Sequence, residues 1–163
     1  KILAICWGMQ VAVTAAGGEV KKGVKGSHIG IANDIELTKD GLNHPLYKEK
    51  NKKFNSPAFN FDEVVKIPNG AIHLASNKIN KIQSLHFKSG VSDILGLQYH
   101  PEITYEKMIS IIEFRKDRLI NERGRFKDEE EIKNHIDFIK EEISISEKTS
   151  RMIELKNWLE LIS

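Results

Sequence analysis

The first eighteen residues restrict the fold more than any other stretch of the chain. Ile2-Leu3-Ala4-Ile5 is a short apolar run of the kind a buried parallel strand shows. After Cys6, the segment Trp7 to Ala16 is small and apolar and stops at Gly17-Gly18, which reads as a buried helix with a glycine terminator. A strand that tips directly into a helix holds the corner residue on a tight turn above the sheet edge. Small residues are then expected two positions before and two after the corner, because the backbone folds closely on itself. Ala4 and Gly8 fill those places, and the corner itself is the chain's one cysteine.

That corner has chemical meaning only if a base reaches it. A helix starting near Trp7 points its positive end at the sulfur and favours the thiolate, and the Trp7 N–H is placed to donate to an oxyanion. A lone cysteine on an apolar strand is, however, equally at home as a small buried hydrophobe. The candidate partner is the run Gly96-Leu97-Gln98-Tyr99-His100-Pro101-Glu102, which closes a second apolar strand. A thiol nucleophile needs a base in hydrogen-bond reach, and the base needs a carboxylate to hold its tautomer. His100 and Glu102 are two apart, so an extended segment, favoured by Pro101, projects both to one side.

Between and beyond these motifs the chain alternates patterns. Strands are predicted over 31–38, 58–65, 72–76, 82–87 and 94–98, with turn chemistry at Pro68-Asn69-Gly70, Asn77 to Asn80 and Ser89-Gly90. Helices are predicted over 105–121, 128–143 and 146–161, the last capped by Ser146 and docking through Met152, Leu155, Trp158, Leu159 and Ile162. Strands followed by helices give an α/β fold with a helical tail.

Composition narrows the function classes. A length of 163 residues suits one compact domain, and 40% hydrophobic with 29% charged residues is ordinary for a globular protein. The formal charge of +2 gives no reason to expect nucleic acid, and Lys21, Lys22 and Lys25 read as a solvated loop. One cysteine excludes an internal disulfide and a cysteine-based zinc cluster, so no metal is expected and a reducing, cytoplasmic setting is the simplest. The N-terminal stretch has the outline of a signal peptide, and Leu3-Ala4-Ile5-Cys6 that of a lipoprotein signal. Gln10 breaks its apolar run, only one positive charge precedes it, and Ile5 is bulky where a small residue is wanted. No segment reaches the roughly 18 apolar residues that span a bilayer, so no membrane partner is expected.

Taken together, Ala4-Ile5-Cys6-Trp7-Gly8-Met9-Gln10 and His100-Pro101-Glu102 resemble the class I glutamine amidotransferases, of the stand-alone, GMP-synthase-like type. Their elbow reads Gly-x-Cys-x-Gly-x-Gln and their last sheet strand ends in His-Pro-Glu. Gly17-Gly18-Glu19-Val20, Asp62-Glu63-Val64, Pro68-Asn69-Gly70 and Leu74-Ala75-Ser76 continue the similarity to about residue 115. The resemblance implies a flavodoxin-like sandwich with a mostly parallel central sheet and a C-terminal helical tail. It implies Cys6, His100 and Glu102 as catalytic residues, L-glutamine as substrate, no cofactor, and a separate synthetase that accepts the ammonia. Gln10 matches a substrate-contacting glutamine of the family; Gly8, Ile29 and Gly30 are expected around the substrate, and His28 near the pocket rim.

Departures from the family pattern are Ala4 for glycine, Met9 where many members have histidine, and Asn60 where relatives often carry histidine. Family domains also begin well before the elbow. The chain is therefore expected to be a fragment or an incomplete product, with residues 1–121 a partial amidotransferase domain and 122–163 a helical extension packed on it. Two other readings stand beside glutamine hydrolysis: a γ-glutamyl peptide hydrolase of the same fold, and a non-catalytic binding or regulatory relative.

Overall fold

A computed structural model describes residues 1–145 and 148–163 of the chain. The apolar opening forms β1 (Ile2–Ile5), and Cys6 turns it into α1 (Trp7–Ala15). There follow β2 (Glu19–Lys22), β3 (His28–Leu37), the short helix α2 (Lys39–Leu42), a 3-10 turn Pro45–Tyr47, β4 (Lys53–Asn60), β5 (Asp62–Lys66), β6 (Ile72–Ser76), β7 (Ser84–Ser89) and β8 (Ser92–Leu97). The C-terminal part is α3 (Tyr105–Phe114), a π-helical turn Arg118–Glu122, α4 (Glu129–Ile145), α5 (Lys148–Arg151) and α6 (Ile153–Ile162).

Six strands form one sheet in the order β1-β8-β7-β6-β3-β4, and β2 pairs with β5 in a separate antiparallel ribbon. The layered α/β architecture is as expected, but the sheet is mixed. Only β1 and β8 run parallel, Ile2 opposite Ile94 and Ile5 opposite Leu97; the other four pairings are antiparallel. The reason is local. β7 and β8 are joined by a tight turn at Gly90 (φ 57°), which can only return the chain antiparallel.

Strand β8 shows how the faces are used. Ile94 packs in the cluster of Met9, Val13, Leu85 and Phe87 beneath α1. Leu95 and Leu97 point the other way, into the cluster of Leu37, Leu46, Tyr47, Phe54, Leu74 and Tyr99, against which Trp158 and Leu161 of the tail also pack. Both faces are covered, which is why the strand reads as a continuous apolar run rather than an alternation. A third cluster joins Ile29 and Ile31 of β3 to Ile112 of α3 and Ile132, Ile136 and Ile139 of α4.

Several sequence expectations change. The strand predicted over 58–65 is two strands, β4 and β5, which separate at Phe61 into different sheets. α1 is amphipathic rather than buried: Met9, Gln10 and Val13 face inward, while Trp7 is 74% exposed. The helix predicted over 105–121 stops at Phe114 and continues as the π-helical turn before Gly124. Ser146, the expected cap, lies outside the described residues. In α6 the inward face carries Glu154, Asn157, Trp158 and Leu161, whereas Met152, Leu159 and Ile162 are exposed.

Candidate active site

Cys6 sits at the junction with φ 51° and ψ −108°, a left-handed backbone that a side chain adopts only under constraint from its surroundings. Two anchors impose it. The Cys6 N–H donates to the Leu97 carbonyl at 2.6 Å, extending the β1–β8 ladder, and the Gln10 N–H donates to the Cys6 carbonyl at 3.2 Å, starting the helix. Cys6 is the N-cap of α1 but its side chain makes no capping bond, so the sulfur does not occupy the first N–H groups of the helix, that of Trp7 among them. The crowding expected at Gly8 is not found: a Cβ there would meet nothing within 4 Å. The glycine that the elbow's packing requires is Gly96 on β8, where an added Cβ would stand 2.8 Å from Met9 Cγ. Met9, fully buried, thus occupies the space that an absent side chain at 96 leaves.

The base is delivered by a turn rather than by an extended segment. The Ile103 N–H closes onto the His100 carbonyl at 3.3 Å, with Pro101 and Glu102 as the central residues; proline's fixed φ suits the second position of such a turn. The His100 N–H donates to the Pro57 carbonyl of edge strand β4 at 2.7 Å, which ties the loop to the sheet. Within the turn, His100 Nδ1 and Glu102 Oε1 are 2.6 Å apart, so the carboxylate accepts the ring's Nδ1–H and leaves Nε2 for other work. The ring is largely buried, at 17% exposure, and the carboxylate is 37% exposed. Burial alone lowers the affinity of His100 for its second proton. The nearby Cys6 and the bonded Glu102 outweigh that and raise its pKa to about 9.

Two groups at the sulfur are absent from the sequence reading. Gln98, fully buried, places its amide Nε2 3.6 Å from Cys6 Sγ and accepts from Gln10 Nε2 through its own Oε1 at 3.1 Å. The Phe59 carbonyl lies 3.8 Å from the same sulfur. Gln98 stands inside the run that ends in His100, so its position was visible, but its role depends on a strand ending that turns the side chain under the elbow. Gln10 also donates to the Asp62 carbonyl at 3.0 Å.

Beside the elbow lies an open cleft of about 520 Å³, lined by Trp7, Gln10, Val11, Thr14, Val20 and Asp62. Ile29 and Gly30 stand elsewhere: the Ile29 carbonyl accepts from His135, and a Cβ on Gly30 would meet Ile112 and Ile139 within 2.8 Å. His28 is buried and bonded to Asn60 and Asn77, not at a rim. Among the described residues no group of three His, Cys, Asp or Glu side chains is arranged to hold a metal, and no helix is long and apolar enough to cross a membrane.

A family model described as glutamine amidotransferase class-I matches residues 1–116. The chain belongs to the class I glutamine amidotransferases. Among curated amidotransferase-like relatives, it is 41% identical over 103 residues to the gamma-glutamyl-L-1-hydroxyisopropylamide hydrolase of a Pseudomonas species, covering 61% of this chain and 35% of that protein. It is 34% identical over 106 residues to the glutamine-hydrolysing GMP synthase subunit of Methanosarcina acetivorans, covering 65% and 52%. The chain thus spans about a third to a half of the length of these relatives. The fold is likewise shared with a glutamine amidotransferase from Thermotoga maritima, at TM-score 0.69 and 21% identity, over 97% of this chain and 60% of that one. The mixed sheet with its helical C-terminal region is therefore an amidotransferase-family architecture.

Proposed function

We propose that Cys6, His100 and Glu102 form a catalytic triad that hydrolyses the side-chain amide of glutamine. The observation that carries the reading is a single thiol on a left-handed corner whose neighbouring imidazole is held by a carboxylate at 2.6 Å. Cys6 Sγ attacks the amide carbon of L-glutamine, and the negative charge that develops on oxygen is met by the Trp7 N–H at the helix start. His100 gives its proton to the departing nitrogen, releasing ammonia and leaving a γ-glutamyl thioester. The neutral imidazole then takes a proton from water, which attacks the thioester; glutamate leaves and the thiolate–imidazolium pair is restored. Glu102 orients the ring throughout. Gln10, which lines the cleft beside the elbow, contacts the substrate, with Gly8 two positions before it in the chain. No cofactor enters these steps. Ammonia passes to a separate synthetase, the arrangement suggested by the naming of the Methanosarcina GMP synthase relative as one of several subunits.

A second reading is favoured by the Pseudomonas relative, whose name describes a γ-glutamyl amide hydrolase. The same steps apply, with a larger amine as leaving group. Treating the whole protein with a diazo-ketone analogue of glutamine and mapping adducts by mass spectrometry tests both. An adduct on Cys6 that millimolar glutamine suppresses is the expected result. Suppression by γ-glutamyl alkylamides but not by glutamine selects the hydrolase, and absence of any Cys6 adduct overturns the triad.

A further inference from the structure

We infer that Arg151, in the tail beyond the family-matched region, is a positioning residue for the His100–Glu102 turn. Its Nη1 donates to the Pro101 carbonyl and, at 3.1 Å, to the Ile103 carbonyl. These are the two carbonyls that flank Glu102. One guanidinium nitrogen bonded to both pins the Pro101–Glu102 peptide and the peptide after Ile103, so the backbone on each side of Glu102 is tied to the tail.

The residue before His100 is held from the same tail. Tyr99, fully buried, donates its hydroxyl to Glu154 Oε1 at 2.8 Å, and Glu154 Oε2 is bonded to Lys50 Nζ at 2.9 Å. Both members of that ion pair have side chains essentially removed from water, at 1% and 0% exposure. Lys50 also donates to the Ser150 carbonyl at 2.7 Å, tying the pair back to the residue preceding Arg151. Residues 99, 101 and 103 are thus all held by side chains of α5 and α6, and His100 and Glu102 lie between them. The tail is built to set the turn, not merely to cover the sheet. The inference rests on the triad reading above only for its catalytic meaning; the geometry it invokes is independent of substrate.

The full chain carrying Arg151→Gln tests it, with the titration of the His100 ring followed by NMR and assigned through His100→Asn. Thermal melting is measured alongside. Loosening Glu102 removes part of what holds the imidazolium, so the His100 midpoint is expected to fall by about one pH unit. Asn157→Ala is the comparison, because Asn157 donates to the Leu46 and Lys48 carbonyls and not to the turn. It should lower the melting temperature and leave the His100 midpoint where it is. An Arg151→Gln chain whose midpoint equals that of wild type, or two variants whose midpoints move alike, overturns the inference. Should Arg151→Gln fail to fold, Arg151→Met replaces it. Methionine keeps an apolar stem but has no donor for either carbonyl, so a wild-type midpoint in that variant is equally fatal. Because no glutamine is used, a chain with the expected shift but no Cys6 adduct would remove the triad reading and leave the positioning role intact.

Discussion

At the scale of single residues, the site is governed by competition between burial and partners. Burial disfavours a charged imidazole, yet the proximity of Cys6 and Glu102 leaves His100 easier to protonate than a free histidine, with a pKa of about 9. A folded-state pKa above the unfolded value of about 6.5 means stability that is fully present below that value and lost as pH rises through about 9. Urea unfolding at pH 6 and pH 9.5 should therefore show a larger drop for wild type than for His100→Gln; equal drops would contradict the coupling. Cys6 and His100 were both legible from sequence, because an elbow with one thiol and a His-Pro-Glu ending are written in consecutive residues. Gln98 and the Phe59 carbonyl were not. Their approach to the sulfur depends on how β8 and β4 end in space, which no local pattern encodes.

Among the elements, close approach decides what the sequence could and could not announce. Gly30 has φ +88° and its missing Cβ is the contact point for Ile112 of α3 and Ile139 of α4. Gly30→Ala combines a disfavoured backbone with overpacking and should cost about 3 kcal/mol in denaturant unfolding; a cost under ~1 kcal/mol would show that α3 and α4 can shift to make room. The strands predicted over 72–76 and 94–98 were found, as β6 (Ile72–Ser76) and β8 (Ser92–Leu97), because both are apolar runs bounded by turns. The division of 58–65 at Phe61 was hidden, since no glycine or proline marks the point where the chain passes from one sheet to another. α6 misled in a different way. Counting only apolar residues selected Met152, Leu159 and Ile162 for the core, whereas the docked face includes Glu154 and Asn157 because each meets a polar partner.

For the whole molecule, the Lys50–Glu154 pair links the tail to the loop before β4. Removing one member strands the other without water, so Glu154→Ala is expected to cost about 3–5 kcal/mol by equilibrium unfolding. Replacing the charge by the isosteric Gln keeps one oxygen, enough for Lys50 or Tyr99 but not for both, so it should still destabilise, though less than Ala. The overall α/β class and its helical tail were legible from the switch in hydrophobic period after Pro101. The antiparallel pairing of β7 and β8 could have been read from the Ser89-Gly90 turn, whereas those of β3, β4 and β6 follow from strand order, which single-residue patterns do not carry.

The pairing of β1 with β8 has a consequence for how the protein comes into being. The register Ala4 to Gly96 joins segments 92 positions apart (96 minus 4), and among the described strands β8 is the only neighbour of β1. The Cys6 N–H and the Leu97 carbonyl that accepts from it are made 91 residues apart (97 minus 6), so on a ribosome this anchor of the corner is completed only when β8 has been added. Arg151 comes later still. Under the proposed triad, the imidazole that would serve the thiol and the tail contacts that hold its turn are both made after the thiol itself.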